Sequence, residues 1–421
     1  MSRVMKDSGI TWVGEVPKNW KIKRVSQFLL ERSIKNHPDE EVLSLYRDYG
    51  VIPKNSRDDN HNVTSSDTSG YKLVDKGNLV INKMKAWQGS MGISDYRGII
   101  SPAYYIYDVR DNDIYLHFLH YALRNVAYIQ EYKRISAGLR VGQWDLNKEE
   151  FKKLRYVFPS TIEQQKRIVD FLDEKISNID QIIKDTRQSI EELKCYKQSV
   201  ITEAVTKGIN KNAPMKETGV DWLKRVPKTW EFMNSKRLFF ERKQKAIEGE
   251  EQLTASQKYG IISQKEFMER ENTRVVVVQK DFSILKHVEP GDFVISMRSF
   301  QGGLEYSYVS GSISSAYVML APRIQIDDEY YKWLFKSVVY IDALQSTSQL
   351  IRDGQAMRYS NFVQVPIPCP PIEEQREISE YLNQKRFEID ELVAEQEAIV
   401  SEFETYKKSM IYEYVTGKKE V

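Results

Sequence analysis

The chain has 421 residues, with 62 Lys and Arg against 60 Asp and Glu. That length implies two to four structural units whose cores form without staples, and the near-zero net charge excludes a tail that coats nucleic acid indiscriminately, though not a local basic face. No run of about 18 apolar residues marks a membrane span, no apolar leader core opens the chain, and the two distant cysteines, Cys195 and Cys369, fit a reducing cytoplasm rather than disulfides or zinc.

In chain order, the first feature is an opening that returns. Trp12-Val13-Gly14-Glu15-Val16-Pro17-Lys18-Asn19-Trp20 recurs 210 residues on as Trp222-Leu223-Lys224-Arg225-Val226-Pro227-Lys228-Thr229-Trp230. Leu43-Ser44 with Tyr49-Gly50-Val51-Ile52 returns as Leu253-Thr254 with Tyr259-Gly260-Ile261-Ile262. Gly77-Asn78-Leu79-Val80-Ile81 matches Gly291-Asp292-Phe293-Val294-Ile295, and Ser101 with Ala103-Tyr104 matches Ser314 with Ala316-Tyr317. Both halves then reach a Pro and an Ile-Glu-x-Gln signature, Ile162 to Gln165 and Ile372 to Gln375. Two copies of a unit this long make a duplicated domain pair with a pseudo-twofold axis, not a solenoid.

Each copy begins with a mixed globule. Runs such as Asn78 to Ile81 and Val275 to Val278 have strand character. Gly, Asn, Asp and Ser punctuate them, as in Lys54 to Gly70, and Ile114 to Glu131 reads as helix. The fold class expected is α+β (mixed α/β). Each copy ends in a stretch without Gly or Pro, about Ile162 to Thr206 and Ile372 to Thr416. Apolar residues recur there in steps of three and four: Ile168, Leu172, Ile179, Ile182, Ile190, Leu193, Tyr196, Val200 and Ala204, then Ile378, Leu382, Ile389, Leu392, Ile399, Phe403, Tyr406 and Met410. That pattern predicts two long amphipathic helices, each burying its stripe on its twin as an antiparallel coiled coil about 65 Å long. Pro159 and Pro371 stand before the starts, Gly208 and Gly417 beyond the ends. The expected boundaries are 1–158 and 209–369 for the globules, with 159–208 and 370–421 for the helices.

No phosphate-binding Gly-rich loop, aminomethyltransferase tetrapeptide or nucleophile elbow is present. His117 and His120 lack an acidic partner in a metal motif and read as packing residues. Glu150-Phe151-Lys152 has no Pro-Asp strand ahead of it and reads as no nuclease site. No catalytic residue, metal or cofactor is expected. Three pairs of loops carry residues suited to nucleic acid instead. The first is Asn82 to Gly89 with Ser296 to Gly303, offering Lys83, Lys85, Trp87 and Gln88 against Arg298, Ser299 and Gln301. The second is Arg134 to Gln143 with Arg352 to Arg358, offering Arg140 and Gln143 against Arg352, Gln355 and Arg358. The third is Tyr46 to Tyr49 with Ser256 to Tyr259, offering Arg47 against Lys258. Lys and Arg donate to guanine or phosphate, Gln pairs with adenine, and aromatic rings pack on sugar or thymine methyl.

Over the whole chain, the Trp-x-Gly-x-Val-Pro-x-x-Trp opening and the Pro…Ile-Glu-x-Gln helix starts resemble the specificity subunit of type I restriction-modification systems. Lys224 replaces the Gly of the opening in the second copy, and Ser160-Thr161 stands in the first where the second has Pro371. The resemblance implies two target-recognition domains held apart by two helices, each domain reading half of a bipartite site in double-stranded DNA. It also implies docking of two modification (methyltransferase) subunits, and through them of restriction (endonuclease/translocase) subunits, with no catalysis in the chain itself. The alternatives are a coiled-coil scaffold without DNA binding and a methyltransferase fused to its own reader.

Overall fold

The computed structural model describes residues 3–47, 49–56, 67–140, 143–274, 284–347 and 357–421. The run Val275 to Val278 lies outside them, as does most of Lys54 to Gly70. The chain is mixed α+β, with two β-rich domains joined by two long helices that pack together. It forms two compact units: Met1–Arg187 with Ala398–Val421, and Gln188–Glu397. Each unit therefore holds one β-rich domain and a stretch of both long helices.

The first unit is built on a four-stranded antiparallel sheet, in the order Leu29–Arg32, Tyr104–Val109, Leu79–Asn82, Met91–Ile93. Every residue from Leu79 to Asn82 is buried, because both faces of the strand are covered. Leu79 and Ile81 join the main core with Phe118, Leu119, Tyr128 and Tyr132 from the helices Leu116–Arg124 and Val126–Arg134. Val80 turns the other way, onto Leu43, Leu45, Val51 and Ile106. A strand buried on both faces reads as a continuous apolar run, not as an alternation. The expected single helix over Ile114 to Glu131 is two. Asn125 breaks it, and its side chain accepts from the amides of Ala127 and Tyr128 to cap the second piece.

The second unit repeats the plan. Its sheet runs Phe239–Arg242, Val318–Pro322, Phe293–Ile295, Glu305–Tyr306. Phe293 and Ile295 meet the helix pair Asp328–Lys336 and Val338–Ser346, while Val294 meets Leu253 and Ile261.

The repeated motifs do the same work in both units. Gln165 is fully buried; its carbonyl accepts from the Tyr115 amide at 2.8 Å and its amide donates to the Asp113 carbonyl at 2.7 Å. Gln375 accepts from Asp327 at 2.9 Å and donates to the Pro370 carbonyl at 2.8 Å. Each glutamine thus ties the start of a long helix to its domain. Trp20 and Trp230 seat the opposite ends. Gly417, just past the second long helix, packs on Pro17 and Trp20, and Gly208, just past the first, packs on Pro227 and Trp230.

The long helices are Ile162–Lys207 (46 residues) and Ile372–Val415 (44 residues). In the first unit Phe171 packs on Tyr414 with ring centroids 4.6 Å apart and planes tilted by 42°, Asp180 pairs with Lys407 at 2.5 Å, and Arg187 pairs with Glu404 at 2.6 Å. In the second, Ser189 meets Gln396 at 3.1 Å and Lys197 pairs with Asp390 at 2.7 Å. Partner numbers fall along one helix as they rise along the other, so the pairing is antiparallel. The seam departs from the expected stripe at four places. Ile182, Tyr196, Leu392 and Tyr406 are 42%, 54%, 47% and 52% exposed, while Ile183 takes the buried position beside Ile179 and Ile190. One residue turns a helix by roughly 100°, enough to carry a side chain from the seam to its edge.

Candidate nucleic-acid interface

In the first unit the buried strand Leu79–Asn82 runs out into a single 3₁₀ turn, Ala86–Gln88. Ala86 is fully buried and anchors it. Gly89 closes it in the left-handed region at φ 83°, where a Cβ would lie 2.7 Å from the Ile129 Cδ1. The anchoring displays the intervening side chains. Trp87 donates its indole N–H to the Met84 carbonyl at 3.1 Å and lies 5.2 Å from the Trp144 ring. Lys83 pairs with Asp145 at 2.7 Å, and that pairing holds the ammonium above its usual pKa. Arg47, in the turn between Leu43–Tyr46 and Gly50–Pro53, donates to the Gln88 Oε1 at 3.1 Å. Lys85 is exposed beside them.

Five of the sequence-derived residues, Arg47, Lys83, Lys85, Trp87 and Gln88, thus meet on one surface. The segment expected as a loop over Arg134 to Gln143 is instead part of a β-hairpin, Ser136–Arg140 with Gln143–Leu146, whose register shifts between Ala137 and Arg140. Arg140 and Gln143 are Cα partners at its tip; their side chains lie outside the description. Trp144 and Asp145, on the returning strand, complete the surface and were not legible as site residues. The nearest signal was their position directly after Gly142-Gln143.

The second unit places the equivalent turn, Ser299–Gly302, after Phe293–Ile295. Arg298 and Gln301 are exposed. Ser299 is not displayed: it is fully buried, in the place of Ala86, and its hydroxyl accepts from the Ser296 amide at 2.8 Å. Its polar side chain serves the turn. Gln257 donates to the Arg298 carbonyl at 3.1 Å, so the 256–260 turn again abuts this element. Lys258 is engaged with Glu271 at 3.1 Å, and Tyr259 donates to the same carboxylate at 2.8 Å. Those two hydrogen bonds hold the Glu271 carboxyl below its ordinary range. Lys258 and Arg270 each lie 4.8 Å from the centre of the Tyr259 ring. Arg358 is exposed at the head of the turn Tyr359–Phe362, and no described contact joins its side chain to Arg298. Arg352 and Gln355 lie outside the described residues.

His120 accepts from the Ile93 amide at 3.3 Å and meets the Arg124 guanidinium at 2.9 Å. Burial, with help from the Arg124 charge, pushes its pKa down to about 3. Among the described residues, no group of three or more His, Cys, Asp or Glu side chains is placed to hold a metal ion, and no helix is long and apolar enough to cross a membrane.

Residues 17–192 match the family described as type I restriction modification DNA specificity domain, and motifs of that stretch recur 210 residues on. The chain is thus similar to the type I restriction-modification specificity subunits. The chain is 22% identical to the putative type I restriction enzyme MjaX specificity subunit of Methanocaldococcus jannaschii, over 97% of this chain and 95% of that one. Its fold is similar to a chain in a structure described as the basis of complex assembly and conformational transition of the type I R-M system, with TM-score 0.69, 15% identity and 96% and 99% of the two chains covered. It is also similar to the HsdS subunit from Thermoanaerobacter tengcongensis, with TM-score 0.53, 14% identity and 96% and 98% covered.

Proposed function

We propose that each β-rich domain reads one half of a bipartite site in duplex DNA, and that the long helices dock two methyltransferase subunits, which bring restriction subunits with them. The reading domains are taken as 1–158 and 209–369, the docking helices as 159–208 and 370–421. The observation that carries the reading is that each unit presents basic, amide and aromatic side chains on a turn leaving the same buried strand, against a neighbouring turn whose residues differ: Arg47 in one, Gln257 and Lys258 in the other. A common frame with differing tips suits two readers of different words.

Replacing residues 1–158 by those of a relative with a different site should change one half-word and leave the other intact, as read by genome-wide methylation mapping in cells carrying the chain and its methyltransferase. A change in both half-words, or in neither, would refute modular reading. The docking rests on four of the apolar side chains left outside the seam, two on each long helix. Ile182 and Tyr406 belong to the first unit; their equivalents Leu392 and Tyr196 belong to the second. Two equivalent exposed apolar pairs suit two copies of one partner. Tyr406→Glu should lower the number of methyltransferase subunits that copurify from two to one, while the isolated chain keeps its thermal midpoint. Retention of two would remove these residues from the docking surface.

A further inference from the structure

The two display turns share more than their place in the sheet. Met84-Lys85-Ala86-Trp87-Gln88-Gly89 and Met297-Arg298-Ser299-Phe300-Gln301-Gly302 agree position by position: methionine, base, small residue, aromatic, glutamine, glycine. The small residue is fully buried in both, and both methionines are exposed to the same degree. Lys85 and Arg298 are exposed, and among the described residues neither is held in an ion pair. What surrounds the turns differs. Arg47 and Trp144 flank the first; Gln257 and the Lys258–Glu271–Tyr259 group flank the second.

Two readers of different words cannot draw their difference from the part they share. The state of Gln88 adds a chemical reason. Reading adenine takes both ends of the amide, the carbonyl accepting from N6 and the NH2 donating to N7. The Arg47 guanidinium has only donors, so the atom it meets must be the Gln88 carbonyl oxygen, which it holds at 3.1 Å. The Gln88 NH2 remains as a donor, and a phosphate oxygen is the acceptor that every duplex presents.

Resting on the reading of DNA by these domains, we infer that the twin turns are a sequence-independent grip on the DNA backbone. Lys85 and Gln88 in one unit, and Arg298 and Gln301 in the other, bind phosphate oxygens. The bases are read by the flanking residues that differ, Arg47 and Trp144 on one side, Gln257 and Lys258 on the other.

The test uses the full chain in complex with its methyltransferase, and duplexes carrying the mapped site or single-base changes in it, titrated over a salt series. Lys85→Ala and Arg298→Ala should each weaken every duplex by one common factor and make the slope of log affinity against log salt shallower by about 0.9. Lys85→Arg should keep the wild-type slope. Gln88→Ala should weaken all duplexes alike with the slope unchanged, because no charge is lost. Arg47→Ala and Gln257→Ala should instead relax preference at one base pair, by about 5- to 150-fold. A base-specific loss in Gln88→Ala, or an unchanged slope in Lys85→Ala, would overturn the inference. Equal affinity of the wild-type complex for all duplexes would instead sink the DNA reading on which it rests.

Discussion

Gly303→Ala is expected to unfold or loosen the second unit and to erase recognition of one half-word while sparing the other. Gly303 closes the second display turn at φ 76°, ψ −168°, a region that only glycine occupies without strain. A Cβ there would also fall 2.1 Å from the Phe335 carbonyl oxygen and 3.2 Å from the Lys336 Cα. Neither atom can retreat easily. Phe335 is fully buried in the helix Asp328–Lys336 and packs on Phe239, Phe293, Tyr331, Tyr340 and Phe362. Backbone strain costs roughly 1–3 kcal/mol, and overpacking a filled site a further 1–3 kcal/mol or so. The sum is a large share of the 5–15 kcal/mol or so that holds a domain together. Gly291→Ala is the control: φ is 96° there too, yet no atom lies within 4 Å of the added Cβ. Its cost should be confined to the backbone, about 1–2 kcal/mol. Denaturant unfolding of the two variants, with methylation mapping of each, checks both statements. Equal stability of Gly303→Ala and Gly291→Ala would mean that the Phe335 contact is not as close as described.

How much of this was legible in the sequence depends on whether a residue acts locally or through its surroundings. The repeat was legible because its motifs do the same local job twice: Trp20 and Trp230 seat a helix end, and Gln165 and Gln375 tie down a helix start. The long helices were legible because nothing in either stretch breaks one. The seam was legible only as a stripe. Ile182 and Ile183 are chemically alike, and the partner helix alone decides which is buried. The hairpin Ser136–Leu146 read as a loop because Gly138 and Gly142 punctuate it, and Trp144 went unnoticed with it. Ser299 read as a DNA contact because a hydroxyl in a turn looks available; its burial follows from the neighbouring Ser296 amide, which needs an acceptor.

A chain ending at Gly208 is expected to pair with a second copy of itself and, with the methyltransferase, to modify an inverted repeat of the first half-word with a gap close to the parent's. In the full chain, the first domain's core is completed by Met410, Tyr414 and Val415 of the second long helix, and Gly417 seats on Pro17 and Trp20. The half-chain lacks all four but carries counterparts: Val200, Ala204 and Val205, each 210 residues earlier, and Gly208, 209 residues before Gly417. Gly208 already makes this contact with Pro227 and Trp230, at nearly the same φ of 75° against 72°. An isologous antiparallel pair of half-chains can therefore cover the stripe that a monomer would expose. The fit is poorer at Phe171, which would face Ala204 of the second copy instead of the Tyr414 ring, a loss of at most about 3–5 kcal/mol per site. The charges sort unevenly. Asp180 would meet Lys197 of the second copy, which stands in for Lys407, and that attraction is kept twice. Arg187 would lose Glu404 and meet Lys194, which is repulsive. Exposed pairs of this kind contribute only about 0.2–1 kcal/mol each, but symmetry counts every one twice. The half-chain dimer should therefore form at micromolar concentration or above, with little net dependence on salt because the two attractions offset the two repulsions. Arg187→Glu should tighten it, by pairing with Lys194 of the second copy, while weakening the helix pairing of the full chain. Sedimentation equilibrium across a salt series measures both effects, and methylation mapping reads the product site. A half-chain that stays monomeric at every concentration, an asymmetric product site, or an Arg187→Glu dimer weaker than the parent would each count against the antiparallel exchange of equivalent helices.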